Sequence, residues 1–166
     1  MSEVASTLWA LVRPPGAPAA VTRAECLALC ERDASGAVEL AAAAAFFATQ
    51  ERSRSSVERP LPVDHPPVPG RVQQAIPDAE VWDLTWAVVT AIAAAGYAGR
   101  RDPDLTHRLS WLAEHHAVDA TCAFAWWAGA ALADLAADGD DVAVERVREL
   151  LLGTPAGWHR PRGGGS

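Results

Sequence analysis

Apolar residues recur at helical spacing along most of this chain. Nowhere do they alternate through a run bounded by turn dipeptides, so the pattern predicts helices and no sheet. Trp82, Trp86, Val89 and Ala93 make one stripe within "IPDAEVWDLTWAVVTAIAAAGYAG". That helix starts with Pro77 in its first turn and should end near Gly96 or Gly99. Leu105, Leu109 and Leu112 make another within "RDPDLTHRLSWLAEHH", with Asp102 as cap, Pro103 at the first helical position and His116 next in register.

Punctuation places the remaining helices. In "VTRAEC" Thr22 and Glu25 form a capping box that opens a helix from about Arg23 to Asp33. "SGAVELAAAAAFFATQERS" is an alanine-rich helix former, from about Gly36 to Arg52. A short helix from about Glu3 to Val12 precedes both, and "VAVERVRELLLG" closes the series. Asp140 or Asp141 caps that last helix, and Gly153 and Pro155 stop it. The spacing of Ala143, Val147, Leu150 and Pro155 loosely resembles the second half of a tetratricopeptide repeat. The first-helix tryptophan–leucine–glycine signature is unmatched, so the spacing is read as helix-hairpin packing.

The stretch "DATCAFAWWAGAALADLAADGDD" (119–141) is apolar all round. Between Ala120 and Ala137 only Thr121 and Asp134 are polar. Its length approaches that of a membrane span, but alanine and glycine gain little from lipid and Asp134 is costly there. A helix apolar on every face is otherwise buried by its neighbours. We therefore expect this helix, capped by Asp119, to lie at the centre of the domain together with the 80–99 helix, and no membrane partner. Trp126 and Trp127 point about 100° apart on such a helix, and both can be buried only if it is surrounded.

The fold class that follows is all-α: a single helical, bundle-like domain of about six helices over residues 1–153. Residues 1–52 supply the N-terminal helices and residues 71–153 the C-terminal ones. A proline-rich extended loop at 53–70 separates them, and residues 154–166 form a flexible tail. At 166 residues with half of them apolar, the chain can bury a core without disulfides. All fourteen basic residues are arginine and alanine is abundant, a codon bias that suggests a bacterial source. The net charge of −7 disfavours nucleic acid. The first residues make a poor signal peptide, so the chain is expected to be cytoplasmic, with its three cysteines reduced.

Candidate chemistry is sparse. His107, His115, His116, Asp119 and Cys122 cluster in sequence, with Cys26 and Cys30 elsewhere, and histidine and thiolate are natural zinc ligands. On helical angles His107 and His115 flank Trp111, whereas His116 points nearly opposite. Ordinary histidines and core thiols are the plainer reading. Cys122, on an apolar helix, should be an inert thiol because desolvation disfavours its thiolate. Asp104 with His107 is half of a di-iron helix motif, but the other ligands are missing. The aspartates of "DGDD" (138–141) serve as helix caps more simply than as magnesium ligands.

No cofactor is expected. A non-enzymatic helical module that binds another protein, or itself, fits these features best. Trp9 and Trp158, expected to be partly exposed near the termini, are candidate contacts. So are Pro66, Pro69 and Arg71, which carry the spacing of a polyproline ligand in "PPVPGR". The alternative is a small metal-dependent enzyme or ligand sensor with a pocket built from His107, Trp111, His115 and Asp119.

Overall fold

A computed structural model describes residues 3–14, 21–55, 79–95, 102–155 and 157–159. They form an all-α fold of six helices: α1 (Glu3–Val12), α2 (Arg23–Ser55), α3 (Ala79–Ala95), α4 (Pro103–His115), α5 (Ala117–Ala137) and α6 (Asp141–Leu152). There is no strand among the described residues. Their buried apolar side chains make one hydrophobic cluster to which all six helices contribute. The proline-rich segment, with Pro66, Pro69 and Arg71, lies outside the described residues.

The two N-terminal helices expected around Asp33 join into one element. Asp33 takes an extended backbone (φ −162°, ψ 94°) inside α2, and its carboxylate accepts the Gly36 N–H at 3.0 Å. It thus caps the second rod while the first ends against it. A Cβ at position 36 would stand 2.3 Å from the same carboxylate, so glycine is what lets this cap close. Thr22 caps the first rod by accepting the Glu25 N–H at 3.3 Å.

The second rod of α2 is the centre of the molecule, with α5. Every residue from Gly36 to Thr49 is buried, and α2 touches each of the other five helices, its contact with α5 being the most extensive in the fold. This corrects the expectation that the 80–99 helix shares the centre with α5; it packs at the flank instead. Alanine explains the choice. Ala41 to Ala45 on α2 and Ala120, Ala123, Ala125 and Ala128 on α5 are all fully buried. Small side chains let helix axes approach closely, and alanine holds its helix at the lowest conformational cost. The bulky partners are Phe46 on α2 and Phe124 on α5, both fully buried.

α5 is long and apolar enough to cross a membrane by length and composition, yet two-thirds of that stretch is buried against other helices. Asp134, one of its two charged residues, reaches Arg52 of α2 at 2.8 Å. The helix starts earlier than expected, at Ala117, with His116 as a cap that makes no side-chain bond. Asp119 is therefore not the cap; it ion-pairs with Arg23. The caps expected at Asp102 and Asp140 do form, accepting the N–H groups of Asp104 at 2.9 Å and Ala143 at 3.1 Å.

Against α5 lies α3, which brings Trp82 and Trp86 onto Trp127. Ring centroids are 4.6 Å apart for Trp82 and 4.3 Å for Trp86, and Trp126 lies 5.2 Å from Trp82. Trp127 is buried and Trp126 only half-buried. The indole N–H groups of Trp82 and Trp127 are buried with no hydrogen-bond partner among the described residues. Each such group costs about 1–3 kcal/mol, which the burial of four large rings offsets.

Residues just beyond α6, expected to begin a flexible tail, instead fold back onto α2. Trp158 and His159 are buried. The Trp158 indole N–H donates to the Glu39 carbonyl at 2.8 Å, and the Gly157 N–H donates to the Glu39 carboxylate at 2.9 Å. His159 Nε2 stands 3.0 Å from the same carboxylate but out of line for a hydrogen bond. Its Nδ1 meets the Thr106 hydroxyl of α4 at 3.2 Å. Glu51, the other buried carboxylate of α2, pairs with Arg146 of α6 at 2.8 Å and Arg54 at 3.3 Å.

Two substitutions probe this packing. Trp127→Ala should destabilise by about 3–5 kcal/mol, the cost of a buried aromatic truncation. Trp127→Phe removes the unpartnered N–H and keeps a ring, so it should cost clearly less; denaturant melts of both variants decide. Trp158→Ala should also cost about 3–5 kcal/mol by the same rule. A melt unchanged by that substitution would mean that the tail contributes nothing to the core.

Candidate functional site

An apolar surface concavity lies between α3 and α4. Leu84 of α3 and Trp111 and Leu112 of α4 form its floor and wall, while Glu80, His107 and Arg108 stand around it. The cleft holds about 270 Å³. It exists because α4 turns Leu105, Leu109 and Leu112 into the core, which leaves the neighbouring stripe of His107, Trp111 and His115 at the surface. Trp111 is half-buried. Its ring is flanked by His115 at 5.3 Å and His116 at 5.2 Å, so two imidazoles fix the indole at the mouth of the cleft. Arg108 is exposed and makes no ion pair among the described residues.

Of the four pocket residues expected from sequence, His107 and Trp111 line the cleft, His115 stands beside the Trp111 ring without lining it, and Asp119 does not line it. His115 is exposed beyond the cleft on the far side of Trp111, and Asp119 is held by Arg23 on α2. No three His, Cys, Asp or Glu side chains among the described residues stand close enough to hold a metal ion. The expected contact residue Trp158 is a core residue, only 6% exposed, because its indole N–H finds the Glu39 carbonyl in the interior. Trp9 is half-buried and lines a second, more polar concavity of about 350 Å³ with Arg13, Pro14, Val144 and Arg148.

One juxtaposition was not legible from the chain. Cys26 and Cys30, one turn apart on α2, meet Cys122 of α5. Cys26 and Cys122 are near enough for each thiol to shift the other, and Cys30 Sγ lies 3.4 Å from the hydroxyl of Thr121, the residue before Cys122. All three are free thiols. The contact with Cys122, then burial, pushes the Cys26 thiol far above the ordinary range. The same contact lowers Cys122, outweighing burial and the nearby Asp119, with help from Arg23. This reverses the expectation that desolvation alone governs Cys122. Burial raises Cys30, and the hydrogen bond with Thr121 offsets it in part. A shared helix face for Cys26 and Cys30 follows from their spacing, but which helix would cover that face did not.

The chain matches no family model, no curated protein and no solved structure, so no relative's site carries over to these residues.

Cys30 is the most accessible of the three thiols, and its pKa is raised, so less of it is thiolate at any given pH than in a free cysteine. Iodoacetamide should therefore label the folded chain at Cys30 first and slowly at neutral pH. The rate should keep climbing with pH beyond the point where free cysteine levels off. Mass-spectrometric labelling across a pH series reads this directly; a plateau at or below the free-thiol range would contradict the raised pKa.

Proposed function

We propose that the chain is a protein-interaction module. Its α3–α4 cleft takes a helical segment of a partner protein that presents a large apolar side chain with a carboxylate beside it. The observation that carries this reading is the half-buried Trp111 next to Arg108, which makes no ion pair among the described residues, at the rim of an apolar cleft. Tryptophan and arginine are the residues on which interface energy concentrates. A cleft of this size suits one or two inserted side chains, and it is smaller than the usual enclosed site for a small molecule.

Charge selects the partner's chemistry. Arg108 favours an acidic group at the rim, and a carboxylate–guanidinium pair would fix the register of the incoming helix. The net charge of −7 makes a second copy of the same chain a poorer occupant, because two such copies repel. The pocket of the alternative, enzymatic or sensing, reading needed His115 and Asp119 as well, and neither lines this cleft.

A displayed library of helical peptides, selected on the immobilised full chain, tests the proposal. Enriched peptides should share a large apolar residue with Asp or Glu one turn away, and their binding should perturb the Trp111 indole resonance. Arg108→Glu should weaken that binding at least tenfold, about 1.4 kcal/mol or more, without lowering the melting temperature, and Trp111→Ala should weaken it as much in protein still folded at the assay temperature, since that ring also packs against the core. Peptides selected without acidic residues, or bound equally by the Trp111→Ala variant, would overturn the proposal. Self-association of the wild type that Trp111→Ala abolishes would instead make a second copy the occupant.

A further inference from the structure

We propose that the concavity lined by Trp9 is a polyproline site, and that its occupant is this chain's own segment from Pro66 to Arg71. The concavity lies where the end of α1 meets α5 and α6, and it holds about 350 Å³. It shares no residue with the α3–α4 cleft, so the two sites are independent.

The lining selects the ligand. Trp9, Pro14 and Val144 supply an apolar surface. Trp9 is half-buried and packed against the core, so its ring is a fixed platform of the kind that takes proline rings of an extended strand. The rim carries charge that the fold leaves uncommitted. Arg148 is paired with Glu145 at 2.8 Å, but Asp141 and Arg13 make no ion pair among the described residues. A free carboxylate at the edge of such a groove takes an arginine at the end of the strand, and that pair sets the strand's direction.

The chain carries this ligand. In "PPVPGR" Pro66 and Pro69 are three residues apart, one turn of a polyproline helix, so both rings fall on one face. Arg71 follows them and Asp64 precedes them. The segment thus bears an acid at one end and a base at the other, as the concavity bears Arg13 and Asp141. Pairing Arg71 with Asp141 seats the two prolines over Trp9.

Chain length permits this docking within one molecule. α2 ends at Ser55, and its last turns lie beside the concavity: Arg52 reaches Asp134 at 2.8 Å, two residues before Ala136 in the lining. The eleven residues from Ser55 to Pro66 span up to about 36–40 Å. On the return, Trp82 in the first turn of α3 packs on Trp126 and Trp127, about 15 Å along α5 from Ala136. The eight residues from Arg71 to Ala79 cover up to about 26 Å. A tether this short holds the segment at an effective concentration on the order of millimolar, so even a weak contact is occupied. A second copy, with the same net charge of −7, is repelled and has no such advantage. An outside polyproline ligand must therefore displace the chain's own.

The indole N–H resonance of Trp9 in the full chain tests the proposal. Pro66→Ala together with Pro69→Ala should shift it. The free peptide VDHPPVPGR, added to that variant, should return it to the wild-type position and should barely move it in the wild type, whose site is filled. Trypsin supplies a second reading at the bond after Arg71. Asp141→Arg leaves the segment's sequence intact and should speed that cut at least about fivefold, with little change in melting temperature. A Trp9 resonance that is the same with and without the prolines, or that the peptide moves equally in both proteins, would overturn the proposal. So would an unchanged cut after Arg71. A wild-type resonance that changes on dilution would make a second copy the occupant and overturn it as well. Asp141 is exposed, so the proteolysis keeps the proposal falsifiable even if the proline variant fails to fold.

Discussion

Close packing of small side chains between α2 and α5 is the constraint on which the rest of the structure depends. Ala41 to Ala45 on one helix and Ala120, Ala123, Ala125 and Ala128 on the other are fully buried. Alanine contributes little transfer energy per residue, so this axis stabilises through proximity rather than bulk. It brings two backbones close and leaves the large side chains to fill the flanks. Phe46, Phe124 and the tryptophans of α3 and α5 do that filling. Each outer helix needs only one apolar stripe, as Ala143, Val147 and Leu151 on α6 illustrate.

Close axes also bring polar groups into the interior, and the fold handles them by pairing. Glu39 and Glu51 are both buried on α2. Glu39 gathers the returning chain through Gly157, Trp158 and His159, and His159 in turn meets Thr106 on α4. Glu51 draws Arg146 from α6. Breaking a buried pair of this kind is costly because it strands a charge in a dry place. These two carboxylates therefore help fix which outer element lies where around an axis whose alanine surface is otherwise nearly featureless.

The same proximity produces the thiol cluster. Cys26 and Cys122 come near each other because α2 and α5 pack along buried small residues. The α3–α4 cleft has the opposite origin. There the helices diverge, and the stripe next to the leucines of α4, led by Trp111, is left half-covered.

The chain by itself determined the helical class, most of the caps and the apolar stripes. Those properties are local: a side chain at Asp102 or Asp140 meets an amide two or three residues away, and a stripe such as Leu105, Leu109 and Leu112 follows from the pitch of one helix. His107 and Trp111 were likewise legible as a surface pair, since both sit on one turn of α4. Which helix covers which was decided only by the tertiary structure. Alanine faces match many partners, so the sequence pattern put α3 at the axis where packing puts α2. Hence the placement of Asp119 against Arg23, of Trp158 against Glu39 and of Cys122 against Cys26 was not written in any one segment. Each is a contact across a large span of chain, fixed by packing that no local spacing encodes.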